Sequence, residues 1–410
     1  MIGDAILLAT ALLLVQGTIY FYQLGAAAML SPASFYDMRL VESAASVGAL
    51  VVSLGLPSIA LVRMGAANAA ERRHLMRRMV LNGVGMSAAF GAVLSLFATS
   101  GLLPVDIASH ATAIFSLSTL MAFRLLLSSS VQSQEGFRAL AFSSLISATL
   151  SVAVLVLAVV FGLDEFSIWF TARIALELSS IAVLGCRSSS PRKAAQDYPS
   201  QSRSPVYAPA WLLLAAAPVG ISLLARALIE HGPVLWLASV GAADVVTAQV
   251  GLLVTLIGVG IIPSRIVQGT VVPRLAREMR NGAFPRGLAS ILVVALLASM
   301  IFFVALVFLA GGSENWEAFL SSPTVLVGGI VILVAKVGAN ALGAWLLILG
   351  RWNVIFALNL GTLAFGSLIA HLFIGGTAGA AATISALLVI EVTGGVLYLV
   401  ASLLARSMKP

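Results

Sequence analysis

The chain has 410 residues, of which 60% are hydrophobic and 10% are charged, and its formal net charge is +7. A soluble domain has about a quarter charged residues, so water cannot be the solvent for most of this chain. The apolar runs are continuous and lack the alternation of membrane-spanning strands, which excludes a β-barrel. The single cysteine, Cys186, excludes an intrachain disulfide and a cysteine-based metal site.

Long apolar runs predict an all-α polytopic membrane protein with about 12 transmembrane helices, since one span needs about 20 apolar residues. We interpret the N-terminal run as a retained first span rather than a cleaved signal, because it is long and no Lys or Arg precedes it. The predicted spans of the first half are residues 5–30, 40–63, 80–100, 107–131, 139–162 and 166–186. Those of the second half are residues 209–229, 234–262, 287–311, 324–350, 353–375 and 378–405.

A polar segment divides the chain near its midpoint. Residues 187–208 are rich in Ser, Pro and charge, which is typical of a linker. Six spans on each side is an even number, so the halves 1–186 and 209–410 have the same orientation, as in transporters with parallel repeats. Pro57 and Pro263 lie in similar short motifs, GLPSI and IIPSR, which close the second span of each half. We therefore predict two six-helix lobes joined by a cytoplasmic linker.

The basic residues are distributed asymmetrically among the loops. One set of alternate loops, together with the C-terminus, holds 18 of the 23 Lys and Arg residues, and the opposite set holds Arg39 alone. The positive-inside rule then places both termini in the cytoplasm and explains the net charge without a nucleic-acid partner. The predicted outer loops are too short for a catalytic domain.

Familiar catalytic motifs are missing from the sequence. It contains no G-x-x-x-x-G-K-[ST] phosphate loop and no H-E-x-x-H zinc motif, and its four histidines are scattered. We predict no cofactor, no metal and no enzymatic activity.

Ionisable residues inside the predicted spans are the candidate functional residues, because a buried charge needs a partner or water. Arg173 and Glu177 have i,i+4 spacing in span six, which fits either a local ion pair or a functional site. Arg226 and Glu230 repeat this spacing near the outer end of span seven, where the side chains could instead reach the membrane interface.

Arg124 and Lys336 have no acid three or four residues away, and they lie in the corresponding spans four and ten. Each needs a partner on another helix or access to water. An excess of positive charge in a cavity would attract an anion such as a diphosphate, which arginine binds with two parallel hydrogen bonds. The candidate substrate-binding residues are Arg226, Arg124, Lys336 and Arg173, and the candidate coupling or cavity acids are Glu42, Asp244, Glu177 and Glu391.

Two stretches carry a resemblance to a known family. Residues 247–276 begin TAQVG, pass through Ile262-Pro263 and end in VPRLA, and residues 349–381 run from LGRWN to GTAGAA. The chain resembles the polysaccharide transporters, including Wzx-type O-antigen flippases, of the multidrug/oligosaccharidyl-lipid/polysaccharide (MOP) exporter superfamily. The resemblance implies a MATE-like fold of two six-helix lobes around a central cavity.

The family resemblance also implies a function at the bacterial cytoplasmic (inner) membrane. The expected function is a flippase that moves a polyprenyl-diphosphate-linked oligosaccharide by alternating access during polysaccharide biosynthesis. Its partners would be the lipid-linked oligosaccharide, membrane lipid, and polysaccharide polymerases and glycosyltransferases. The alternatives are a multidrug exporter of the same fold, which would need cavity acids, and an integral-membrane glycan polymerase or glycosyltransferase, which would need large outer loops.

The predicted topology is tested by reporter tags. Tags fused after Pro410 or inserted at Ser200 should report the cytoplasm, because the basic loops lie on that side. A tag at Ser313, in a predicted outer loop, should report the opposite side. A cytoplasmic signal at Ser313 would contradict the twelve-span topology.

Overall fold

The computed structural model describes residues 2–66, 69–133, 137–188, 209–264, 296–301, 303–304, 323–348, 351–374 and 379–407. Over these residues the regular structure is helical and contains no strand. The first helices are α1 (Ile2–Met29), α2 (Pro32–Ser53), α3 (Leu56–Ala66), α4 (Ala69–Thr99), α5 (Val105–Ser109), α6 (Ala111–Ser133), α7 (Phe137–Val160) and α8 (Glu165–Ser188). They are followed by α9 (Pro209–Ser239), α10 (Asp244–Gly260), α11 (Pro323–Ile348), α12 (Trp352–Ile374) and α13 (Ala380–Ser407).

Within the described residues, eight helices are long and apolar enough to cross a membrane, and α12 contains a shorter apolar helix. In lipid the backbone must satisfy its own hydrogen bonds, and a helix does so within one segment. The prediction of an all-α polytopic membrane protein is therefore confirmed. Most of the predicted ninth span, 287–311, and most of the predicted linker lie outside the described residues.

Some predicted boundaries are wrong. Helix α9 passes through Pro218 and Pro233 and ends at Ser239, whereas the prediction ended the seventh span at residue 229. Helix α4 begins at Ala69, so its first turns contain arginines that the prediction placed in a loop. Both prolines lie within α9, as membrane helices allow where neighbouring groups satisfy the freed carbonyl.

Arg39 is also misplaced by the prediction. It lies within α2, and only 1% of it is exposed. A Cβ added to Gly251 of α10 would lie 3.0 Å from the Arg39 side chain, so the two helices approach closely here. Arg39 is therefore a buried residue of a helix and not a loop residue on the outer side.

By their contacts, the residues form two compact units. One comprises Met1–Leu40 and Ala225–Pro410, and the other comprises Val41–Leu224. In the first unit α1 packs against α10, and α11, α12 and α13 pack together. In the second unit α8 packs against α6 and α7, and α6 also contacts α3 and α4. The predicted lobes 1–186 and 209–410 stay a prediction.

Serine side chains bring α7 and α8 together. Ser180 Oγ donates a hydrogen bond to Ser147 Oγ at 2.8 Å, and Ser151 Oγ donates to the carbonyl of Ala172 at 2.6 Å. Small residues let membrane helices approach closely. These contacts set the orientation of α8, which carries two of the candidate residues.

The start of α8 is capped by Asp164, which lies outside the apolar span. Its Oδ2 accepts a hydrogen bond from the backbone N–H of Ser167 at 3.0 Å. Hydrogen bonds from Ser167 stabilise the ionised carboxylate and lower the pKa of Asp164 below its ordinary value. An acid at this position satisfies a backbone donor that the first helical turn leaves free.

A glycine contact joins the α2–α3 break to α9 within the second unit. The break falls at Leu54 and Gly55, both of which have positive φ angles, 37° and 76°. A Cβ on Gly55 would lie 2.4 Å from the carbonyl oxygen of Ala216, and one on Gly220 would lie 2.5 Å from the carbonyl carbon of Leu54. The two backbones approach so closely that a side chain cannot fit at either glycine.

This contact predicts a stability defect for Gly220→Ala. The added methyl group meets backbone atoms, which cannot rotate away, so the variant should lose about 1–3 kcal/mol of stability. Gly85→Ala in the same unit is the matched control, since nothing lies within 4 Å of its added Cβ. Thermal unfolding of the purified proteins in detergent tests this. Equal unfolding midpoints for the two variants would contradict the close approach.

Candidate functional site

Two clusters of buried charge contain seven of the eight candidate residues. The Glu177 cluster comprises Glu42, Arg124, Arg173 and Glu177 and lies in the second unit. The Glu391 cluster comprises Arg226, Glu230, Lys336 and Glu391 and lies in the first unit. Each cluster has two cations and two acids.

In the Glu177 cluster, one carboxylate is held by two arginines from different helices. Arg124 Nε of α6 donates to Glu177 Oε2 at 2.5 Å, and Arg173 Nη1, one turn earlier on α8, donates to Glu177 Oε1. Arg173 Nε also lies 3.6 Å from Glu42 Oε1 of α2. The charges therefore alternate along a chain of four side chains that joins α2, α8 and α6.

In the Glu391 cluster, one carboxylate again lies between two cations. Arg226 Nη1 of α9 is 3.2 Å from Glu391 Oε2 of α13, and Lys336 Nζ of α11 is 3.7 Å from Glu391 Oε1. Lys336 Nζ is also 3.4 Å from Glu230 Oε1 of α9. This cluster joins α9, α11 and α13.

The two clusters correspond under the predicted repeat. Arg124 and Glu177 lie in the predicted spans four and six, and Lys336 and Glu391 lie in spans ten and twelve. Lys336 follows Arg124 by 212 residues, and Glu391 follows Glu177 by 214. A cation of the predicted fourth span of each half thus pairs with an acid of the sixth, while the predicted duplication of the chain stays a prediction.

The expectation of unpaired positive charge is wrong for these residues. Arg124 and Lys336 have no acid on their own helical face, yet each meets one on another helix. The i,i+4 pair of Arg173 and Glu177 is present, as the spacing predicts. Each cluster is formally neutral, which is the arrangement that makes charges tolerable in an apolar interior.

Asp244 does not join either cluster through any described ion pair. It is the first residue of α10 and is exposed. The prediction placed it inside span eight because it joined α10 to the end of α9, where the chain turns at Gly241 instead. An acid in the first helical turn is favourable through the helix dipole alone.

The sequence prediction missed one ion pair of the Glu391 cluster and one residue beside that cluster, Tyr398. Glu230 was paired with Arg226 by spacing, but its described ion pair is with Lys336, an interaction that sequence spacing cannot show. Tyr398 of α13 donates a hydrogen bond to Asn359 of α12 at 2.8 Å, beside the Glu391 cluster. Its position seven residues after Glu391, on the same helical face, was the available signal.

Metal ligation has no support among the described residues, where no three His, Cys, Asp or Glu side chains group together. The predicted absence of a metal and a cofactor stays a prediction.

No protein-family model matches the sequence, and no curated protein matches it. Several solved structures do. The eukaryotic MATE transporter AtDTX14 has a TM-score of 0.62 at 17% identity, over 99% of this chain and 97% of that chain. The MATE multidrug transporter DinF-BH has a TM-score of 0.60 at 15% identity, over 99% of this chain and 95% of that chain.

A third similar structure is a MOP-superfamily transporter from Pyrococcus furiosus, described by a binding pocket of reverse polarity. Its TM-score is 0.59 at 13% identity, over 98% of this chain and 95% of that chain. At these identities the comparisons show the fold. The chain has the fold of the MATE transporters of the MOP superfamily.

The order of contacts in the Glu177 cluster leads to a prediction about stability. Glu177→Gln leaves two buried arginines short of negative charge, and breaking such a buried pair costs about 3–5 kcal/mol. Protein level in membranes and the thermal unfolding midpoint should both fall. The double variant Arg124→Met/Glu177→Gln leaves Arg173 and Glu42 as a neutral pair, so it should recover part of the loss.

The double variant Arg173→Ala/Glu177→Ala is the contrasting control. It leaves Arg124 and Glu42 on separate helices without the residues that join them, and should recover nothing. Equal recovery by the two double variants would contradict the order of contacts along the cluster.

Proposed function

We propose that this protein is a flippase that moves a polyprenyl-diphosphate-linked oligosaccharide across the bacterial cytoplasmic membrane by alternating access, for O-antigen, capsule or exopolysaccharide biosynthesis. Both termini would be cytoplasmic. A polysaccharide polymerase and glycosyltransferases would be its partners in the same membrane.

The fold and the buried charge support transport rather than catalysis. Ionisable residues inside membrane spans are costly and mark substrate or ion pathways. Here eight of them form two clusters, one in each compact unit. The similar folds reported above belong to transporters.

The proposal of an anionic substrate rests on which charged side chains of the clusters are exposed. In the Glu391 cluster the Arg226 side chain is 20% exposed, whereas Glu391 is 1% exposed. In the Glu177 cluster Arg124 is 14% exposed, whereas Glu177 is 0% exposed. The shared acid is covered in both clusters, and its arginine partner is reachable. A guanidinium group binds a phosphate through two parallel hydrogen bonds, so a diphosphate headgroup suits the position of Arg226.

A multidrug exporter is the second candidate, and one observation favours it. Glu230 is 16% exposed, so a cationic drug could reach an acid in the Glu391 cluster. The fold is compatible with this function, because similar structures include multidrug transporters. The two candidates differ in the sign of the residue that must contact the substrate.

Complementation of glycan export in a strain lacking this gene tests the proposal. Arg226→Ala and Lys336→Ala should each lower export at least about tenfold with near-normal protein levels, because each removes a cation from the headgroup site. Arg226→Lys should retain partial export, since it keeps the charge and loses the bidentate geometry. Glu230→Gln should affect export less than either alanine variant.

Arg138→Ala is the matched control. Arg138 is an exposed arginine at the start of α7, outside both clusters, so its removal should leave export unchanged. Full export by both Arg226→Ala and Lys336→Ala would contradict the proposal. Loss of drug resistance in Glu230→Gln, with no role for the gene in glycan export, would support the multidrug exporter.

A further inference from the structure

The two clusters have the same charges but different bonding. Both oxygens of Glu177 accept a hydrogen bond, one from Arg124 and one from Arg173. Neither oxygen of Glu391 receives a hydrogen bond from the described residues, although both are buried. The contacts of Glu391 with Arg226 and Lys336, at 3.2 and 3.7 Å, are ion pairs without hydrogen-bond geometry.

Arg226, the arginine of the Glu391 cluster, also has a hydrogen-bond donor without a partner among the described residues. Arg226 Nη2 is buried and makes no hydrogen bond to the described residues. Buried polar atoms are nearly always hydrogen-bonded in native proteins, so an exception needs an explanation such as a missing ligand. Here a carboxylate and the guanidinium that it faces are both incompletely bonded, which points to a site that gains a partner.

The identity of the groups limits that partner. Arg226 and Lys336 are cationic side chains with several hydrogen-bond donors, and they share one carboxylate. A group with several anionic oxygens can bond to both cations at once, whereas the contacts of Glu391 with them lack hydrogen-bond geometry. Phosphate and diphosphate groups have this property.

We propose that the Glu391 cluster is an exchange site, in which a phosphate-type headgroup replaces Glu391 as the partner of Arg226 and Lys336. Glu391 is then the internal counter-ion of the empty state. The Glu177 cluster has a structural role instead, because both oxygens of its shared carboxylate accept a hydrogen bond. Its one buried arginine atom without a hydrogen bond to the described residues, Arg173 Nε, faces Glu42 at 3.6 Å. The identification of the ligand as a lipid diphosphate rests on the proposed function.

An internal counter-ion solves a difficulty that any such transporter has. Without Glu391, release of the headgroup would leave Arg226 without the partner of its described ion pair and Lys336 with Glu230 alone, in an interior where unpaired charge is costly. In the empty state Glu391 pairs with both cations, but through ion pairs without hydrogen-bond geometry. The ligand must compete with this carboxylate, which weakens binding and so permits release. Removing the carboxylate should therefore tighten binding and slow transport.

Binding of farnesyl diphosphate to the purified protein in neutral phosphatidylcholine nanodiscs tests the exchange. Glu391→Gln should bind about tenfold more tightly than the wild type, because the competing negative charge is gone. Arg226→Ala and Lys336→Ala should each bind at least about tenfold more weakly. Glu391→Gln should also export less glycan in cells, since release becomes slow.

The Glu177 cluster supplies matched controls. Arg124→Ala and Glu177→Gln should keep the wild-type affinity for farnesyl diphosphate within about twofold, and their unfolding midpoints should fall. If Glu391→Gln cannot be purified, Glu391→Asp replaces it. The shorter carboxylate holds the cations less well, so this variant should also bind more tightly than the wild type.

The outcomes separate the exchange site from the proposed function. Wild-type protein that binds farnesyl diphosphate, with unchanged or weaker binding by folded Glu391→Gln and Glu391→Asp, overturns the exchange and leaves the function standing. Weakening by Arg124→Ala equal to that of Arg226→Ala overturns the division into an exchange site and a structural cluster. Wild-type protein that binds tetraphenylphosphonium but no farnesyl diphosphate overturns both proposals.

Discussion

A carboxylate inside a bundle of apolar helices is stable only beside a cation, and this constraint organises both units of the protein. Glu177 and Glu391 are each almost fully buried, and each lies between two cations that come from different helices. Glu391 draws its cations from two other helices, α9 and α11, whereas Glu177 draws one from its own helix α8 and one from α6. Removing one member leaves an uncompensated charge where water cannot replace it.

In a membrane, buried ion pairs specify the arrangement of the helices more strongly than they would in a soluble protein. Lipid is as apolar as the helix surfaces, so apolar contacts alone give little preference for one helix arrangement over another. Directed polar contacts then specify the arrangement. Around α8 they comprise the hydrogen bonds of Glu177 and the serine contacts to α7, and where α9 passes the α2–α3 break the specific contact is a pair of glycines. Each depends on small or charged residues that the apolar composition would not otherwise require.

Much of the fold could be predicted from the sequence because the membrane imposes it. Apolar runs of sufficient length must be helices, and the positions of most predicted spans agree with the described helices. The errors concern helix boundaries, which Gly and Pro do not fix by themselves. Pro218 and Pro233 lie within α9, whereas the chain breaks at Leu54 and Gly55, where close packing against Gly220 supports positive φ angles. The neighbouring helix decides which of these residues interrupts a span.

The candidate site could be predicted only as a set of residues, not as a set of contacts. Spacing identified the pair of Arg173 and Glu177, because both lie on one face of one helix. The partner of Arg124 is 53 residues away on another helix, and no local pattern encodes that contact. Counting charges by span therefore found the cations but overestimated their excess. The sign of the net charge in a membrane interior depends on tertiary pairing, so it is not available from the sequence of each span.

Transporters with similar folds include multidrug transporters and a protein with a pocket of reverse polarity, so the fold does not determine the charge of the ligand. Net charge does not determine it here either, because both clusters are neutral. What remains is the difference in bonding between two clusters of equal formal charge. A carboxylate with both oxygens hydrogen-bonded holds its cations permanently, whereas one with only ion pairs can give them up to a ligand that bonds better. The ligand's charge then follows from the groups that are incompletely bonded, and in the Glu391 cluster those groups are Arg226 and Glu391.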